Sequence, residues 1–155
     1  MPVLERRQPE VPGKVPKTAD NGKTRCATPA SADDAQLQAV GSLAAAHVYT
    51  SYGYVGVMAD AFVAKSFSAD QVVNLMTEVT DMINLNMESL RKVRPTVVSE
   101  DQVFIDKLIR VYELVNCEAR ALTDFARTEK PEHAAEFEKA RTAVWPHLKQ
   151  VLGID

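Results

Sequence analysis

The chain is poor in the residues on which stapled, metal-built or phosphate-binding proteins depend. It has two cysteines, Cys26 and Cys117, among 155 residues. Their spacing fits no zinc or redox motif and excludes a disulfide framework. Glycine is scarce, with six in all. None of them forms G-x-x-x-x-G-K, G-x-G-x-x-G or G-x-S-x-G, so the sequence carries neither a phosphate-cradling loop nor a nucleophile elbow. Positive charge is not in excess either: the net charge is −3. A generic nucleic-acid binder would be basic. No Glu-x-x-His occurs, which removes the di-metal bundle signature. His133 and His147 lie fourteen residues apart, too far to share a coordination shell. His47 has no C-x-x-C-H attachment motif nearby for a haem.

One absence is local. From Ala35 to Ala59, twenty-five residues, there is no Asp, Glu, Lys or Arg. A membrane span is the first explanation to test. Gln36, Gln38, Ser42, His47, Thr50 and Ser51 make the stretch too polar for one, and no basic cluster flanks it. Membrane contact is therefore not expected.

What is present is ordinary for one globular domain: 46% hydrophobic and 25% charged residues. The charge is uneven. Residues 1–30 hold six Lys/Arg against three Asp/Glu, a net +3, whereas residues 31–155 hold twelve against eighteen, a net −6. Five of the eight prolines also fall in the first thirty residues. The sequence thus divides into a basic, Pro-rich extended arm over 1–30 and a helical-bundle domain over 31–155. The arm has no apolar run of the secretory type, and its acids and prolines spoil a transit helix. With unpaired cysteines, the expectation is a reduced, cytoplasmic protein.

Beyond the arm the helical period dominates. Helices are expected at about 32–65, 69–93, 100–128 and 131–152. Ser31 with Asp34, Ser68 with Gln71, and Ser99 with Gln102 have capping-box spacing. Phe67/Val72 and Val98/Val103 stand where hydrophobic staples belong. Pro95 requires the second helix to stop before it, Pro131 suits a first turn and Gly153 suits a C-cap. Pro146 predicts a kink or short break in the last helix. Gly53 and Gly56 each cost on the order of 1 kcal/mol relative to Ala, so helix 1 is expected to bend or break near Gly53. Short connections point to an all-α, antiparallel up-down four-helix bundle.

A helix without a charged face is usually buried on more than one side. Three neighbours cannot cover helix 1 completely, so its remaining face needs another cover. Gly41, Ala45, Gly56 and Ala59 fall close to one side and allow close backbone approach. Tyr49, Tyr52 and Tyr54 point in three directions, which places at least one at a contact with another molecule. The expected interface is Gly41, Ala45, Tyr49, Tyr52 and Gly56.

Three polar residues fall on apolar stripes: His47 in helix 1, Asn86 in the seam of helix 2, and Glu118 between Val115 and Leu122 in helix 3. Buried polar groups need partners. They either fix the register of packing or line a shared polar pocket. Cys117 lies on the polar face of helix 3 between Glu113 and Arg120, with no partner base, and reads as an inert thiol. No catalytic residue, metal ligand or cofactor is assigned. The expected function is a non-catalytic interaction or assembly subunit, as a homo-oligomer or part of a larger assembly, using helix 1 and the arm. The alternative is a small-molecule or cofactor-binding bundle with a pocket around His47, Asn86 and Glu118. An enzyme using Cys117 or Glu118 is the third reading.

Overall fold

A computed structural model describes residues 32–154 of the chain; the proline-rich arm, the cut near residue 30 and the Ser31 cap lie outside them. Among the described residues there are four α-helices and no strand. They are α1 (Ala32–Val63), α2 (Ala69–Val93), α3 (Ser99–Thr128) and α4 (Pro131–Leu152), with a 3-10 turn at Arg94–Thr96 between α2 and α3. The all-α four-helix bundle expected from the period and punctuation is the fold.

The Ser68 start is built as its spacing predicts. The Ser68 hydroxyl accepts from the Gln71 N–H at 3.3 Å, and the Gln71 side chain accepts from the Ser68 N–H at 2.8 Å. Ser99 differs. The helix begins one residue earlier, Val98 is the N-cap and no side chain caps it. The Gln102 amide instead donates to the Val97 carbonyl at 3.0 Å. Val98 and Val103 are both exposed. Glu100 and Asp101 in the first turn face the positive end of the helix dipole in place of the cap.

α2 stops at Val93, before Pro95 as expected, but Arg94 is not pushed out of helical geometry. It stays in the right-handed helical region at φ −46°, ψ −48° and keeps its N–H on the Leu90 carbonyl. Pro95 then opens the 3-10 turn, where its missing N–H costs nothing. Two hydrogen bonds from Arg94 to Asp106, at 2.6 and 2.8 Å, tie this turn to α3.

Neither helix is broken where a break was one of the expectations. α1 runs unbroken through Gly53, and α4 runs through Pro146. Pro146 and Thr142 are both exposed, so water can satisfy the carbonyl that the proline leaves free. Gly153 caps α4 at φ 66°, as its position predicts.

α3 takes the central place. It packs against each of the other three helices, while α2 and α4 flank it without touching each other. α1 lies across α3. Eleven of the thirty α3 residues are buried, including Leu108, Val111, Tyr112, Val115 and Leu122. α1 is therefore not the helix buried on several sides. It buries one stripe, Ala45, Val48, Val55, Met58, Ala59 and Phe62, and leaves the opposite side open. The α1–α2 and α3–α4 connections meet at one end, where Phe62 packs edge-on to Phe125 and Lys65 pairs with Glu129 at 3.0 Å. The start of α1 and the end of α4 are at the other end, beside the α2–α3 turn.

Candidate functional site

Each polar residue singled out in the seams has a partner of its own. His47 sits half-buried on α1, with Nδ1 3.0 Å from the Tyr112 hydroxyl oxygen on α3. That hydroxyl donates to the Ala44 carbonyl at 3.1 Å. A phenol has one proton to give, so the imidazole must donate from Nδ1. The neutral ring then keeps a free acceptor at Nε2. Burial lowers the His47 pKa and raises that of Tyr112 to about 12, so both groups are neutral at pH 7. His47 borders a shallow groove of about 240 Å³ between α1 and α2, lined also by Ser51, Tyr54, Leu75 and Met82.

Glu118 has no exposed surface. Its Oε1 accepts from Arg141 Nη1 at 2.7 Å, and its Oε2 has no hydrogen-bond partner. Burial pushes its carboxyl up to about 7; Arg141 pulls the other way, and the negative charge of Glu138 adds to the rise. Arg141, half-buried, is held by several groups. Its guanidinium carbon stands 4.4 Å from the centre of the Tyr52 ring, and Nη1 also donates to the Tyr52 carbonyl at 3.3 Å. The guanidinium lies on the bare backbone of Gly56, where a Cβ would come closer than 3.0 Å to it. Tyr52 stacks on Trp145 with ring centroids 6.0 Å apart. This cluster clamps α1 to α3 and α4. No substrate can reach a carboxyl so enclosed, so Glu118 serves as a tie between helices.

Asn86 is only half-buried, and its amide donates to the Met82 carbonyl one turn back at 2.9 Å. Met87 takes the buried position next to it. Among the described residues no hydrogen bond joins any two of His47, Asn86 and Glu118, so the structure does not gather them into one pocket.

Four of the five residues expected at an interface face the chain's own helices. Gly41 abuts the Phe104 ring, with a built Cβ 3.0 Å from it; Ala45 is in the core; Tyr52 and Gly56 hold Arg141. Tyr49 alone of the five is exposed, at 51%. Close backbone approach along the small-residue side is real, and its partners are α3 and α4. The free face of α1 is the opposite one, where Leu43, Ala46, Thr50, Gly53 and Val57 follow at steps of three and four. Leu43 is 71% exposed and Val57 59%. None of these residues carries a charge.

No family model, curated protein or solved structure matches this chain.

Three further polar residues of the helix seams carry no motif in the sequence. Arg141 occupies a seam position of α4, since Phe137, Arg141, Val144 and Leu148 follow at steps of four, three and four. A single arginine on one apolar stripe and a single glutamate on another were the available signal for the pair. Tyr112 follows Leu108 by four and marks itself only by falling on the broad stripe of α3. Asn116 is buried, donates to the Asn84 side chain at 3.0 Å, and leaves its own Oδ1 without a partner. Cys117 is exposed on α3, as its place on the polar face predicts. Among the described residues no cluster of three or more His, Cys, Asp or Glu is placed to hold a metal ion. No described helix is long and apolar enough to cross a membrane.

Proposed function

We propose that this chain is a non-catalytic interaction subunit that docks through the outward face of α1, as a homo-oligomer or within a larger assembly. One observation carries the reading. The 32-residue helix α1 exposes Leu43, Tyr49 and Val57 on a face that carries no charge from Leu43 to Val57 and meets its first, Asp60, one step further on, although a quarter of the chain's residues are charged. Large apolar side chains scattered over a surface need no explanation, but a run of them on one uncharged helical face marks a contact surface. Gly53 adds an open place on that face, with no atom within 4 Å of a built Cβ, where a partner's side chain can reach the backbone. Because the face is uncharged, two copies can meet there without the repulsion that a net −3 would otherwise impose. The enclosed position of Glu118 and the unassisted thiol of Cys117 support a role without catalysis. Cys117, exposed and without a disulfide among the described residues, suits a reducing, cytoplasmic setting.

Charge placed on this face tests the reading. Leu43→Glu combined with Val57→Glu leaves the core untouched and should weaken association by about tenfold or more, since an interface anchor is worth on the order of 1–2 kcal/mol. Native mass spectrometry and sedimentation velocity read the loss, and circular dichroism confirms retained helix. Association at unchanged strength in the charged variant would refute the assignment. Ala45→Glu is unsuitable, because Ala45 lies in the core.

A further inference from the structure

Among the described residues a cavity opens at the end of the bundle where α1 starts and α4 finishes, away from the outward face of α1. It measures about 550 Å³ and is walled by all four helices: Leu37 and Gly41 of α1, Leu90 of α2, Phe104 of α3, and Val151 and Leu152 of α4. That is the size of a filled ligand cleft. Its walls are apolar, and its one charged lining residue is Asp101, next to Glu100 in the first turn of α3. The geometry points to an occupant from the same chain: we propose that the segment Pro9–Lys17 binds in this cleft as a tethered, proline-rich ligand.

Three observations favour this occupant over a free molecule. The first is position. Residues 1–31 join the bundle at Ala32, and Leu37, a wall of the cleft, is five residues further along α1. Fourteen residues lie between Lys17 and Ala32, and fully extended they span up to about 50 Å. Five helical residues cover only about 7.5 Å, so the tether reaches the cleft with slack to spare. The second is pattern. Pro9, Pro12 and Val15 recur every third residue, the period of a polyproline helix, and Lys14 and Lys17 share the same step on a neighbouring side. Such a segment loses little entropy on binding and characteristically docks against aromatic side chains, here Phe104. The third is charge. The basic arm meets Asp101 in the wall of the cleft, on a domain that carries −6. A short tether then supplies an effective concentration in the millimolar range, so a weak contact suffices.

The experiment uses the full-length chain with Cys26→Ser and Cys117→Ser, and Val15→Cys carrying a nitroxide. Methyl resonances of Leu37, Leu90, Val151 and Leu152 should broaden severalfold more than those of Val63 and Leu75. The pattern should not change on tenfold dilution, and Asp101→Lys should reduce it. Broadening confined to Leu37, or equal at all methyls, overturns the proposal. Broadening that fades on dilution also overturns it, because the arm would then be docking on another copy. An unlabelled control reads the same cleft differently. Pro12→Asp with Val15→Asp in the otherwise natural chain should raise binding of the apolar dye anilinonaphthalene sulfonate at least threefold. Unchanged dye binding would count equally against the segment.

Discussion

A carboxyl with no exposed surface and one bare oxygen is costly to ionise, and a single arginine returns only part of that cost. Glu118 is such a group, with its carboxyl pushed up to about 7 mainly by burial. A carboxyl raised in the folded state stabilises the fold fully below its unfolded value, and that contribution is lost as pH rises through the folded value. The urea midpoint of the natural chain should therefore fall between pH 5 and pH 8 relative to that of Glu118→Gln. His47 contributes a slope of the opposite sign, because burial lowers its pKa, but it does so in both proteins and cancels from the difference. An equal pH dependence in the two proteins would show that Glu118 does not titrate in this range. The two exposed-or-buried glycines of α1 offer a second contrast. Gly53→Ala meets open space and should stabilise by roughly 1 kcal/mol. Gly56→Ala places a methyl where the Arg141 guanidinium lies and should lower the thermal midpoint, because it parts Arg141 from a buried carboxylate. Chemical denaturation of the pair checks both signs. That Glu118 faces the apolar side was legible from its stripe; that Arg141 meets it was not, since the partner depends on how two helices are rotated against each other.

At the scale of the element, the two Ser-x-x-Gln starts look alike in sequence and differ in structure. At Ser68 both hydrogen bonds of the box are made, Phe67 packs on the core and Val72 is fully buried. At Ser99 the helix has already begun, and Gln102 reaches back past it to Val97. Ser68→Ala should accordingly cost about 1 kcal/mol and Ser99→Ala a few tenths at most, read from urea midpoints. A comparable loss at both sites would mean that Ser99 acts as a cap in solution. The difference has a physical source. A staple needs a core to press against, and Val98 and Val103 are on the outside. Helix spans were legible to within two residues, because caps, prolines and apolar period agree along the chain. The continuity of α1 was not, because propensity is a weak term against the packing of Val48, Val55 and Phe62 on α3.

For the whole molecule, the arrangement of helices decides which segments open first. α3 is enclosed by all three others, whereas the first turns of α1 border the open cleft. Amide hydrogen exchange should be slowest in α3 around Val111–Leu122 and fastest, among the helices, over residues 35–43. Equal protection of α1 and α3 would contradict this order. The same arrangement explains the uncharged surface. The described helices enclose only one stripe of α1, and the proposed contact with a partner covers the rest.

The sequence by itself determined the class of fold, the four spans, the polar and apolar sides of α3 and α4, and the presence of a low-charge helix. These follow from local propensity, capping and a period of 3.6, all of which act within one element. Only the tertiary structure decided which side of α1 stays free, because Gly41, Ala45 and Gly56 invite close approach without naming the partner. It also separated His47, Asn86 and Glu118, giving the first to Tyr112 and the last to Arg141. Those choices depend on helix rotation and on which seams face one another, quantities that arise only when four amphipathic elements bury their stripes together.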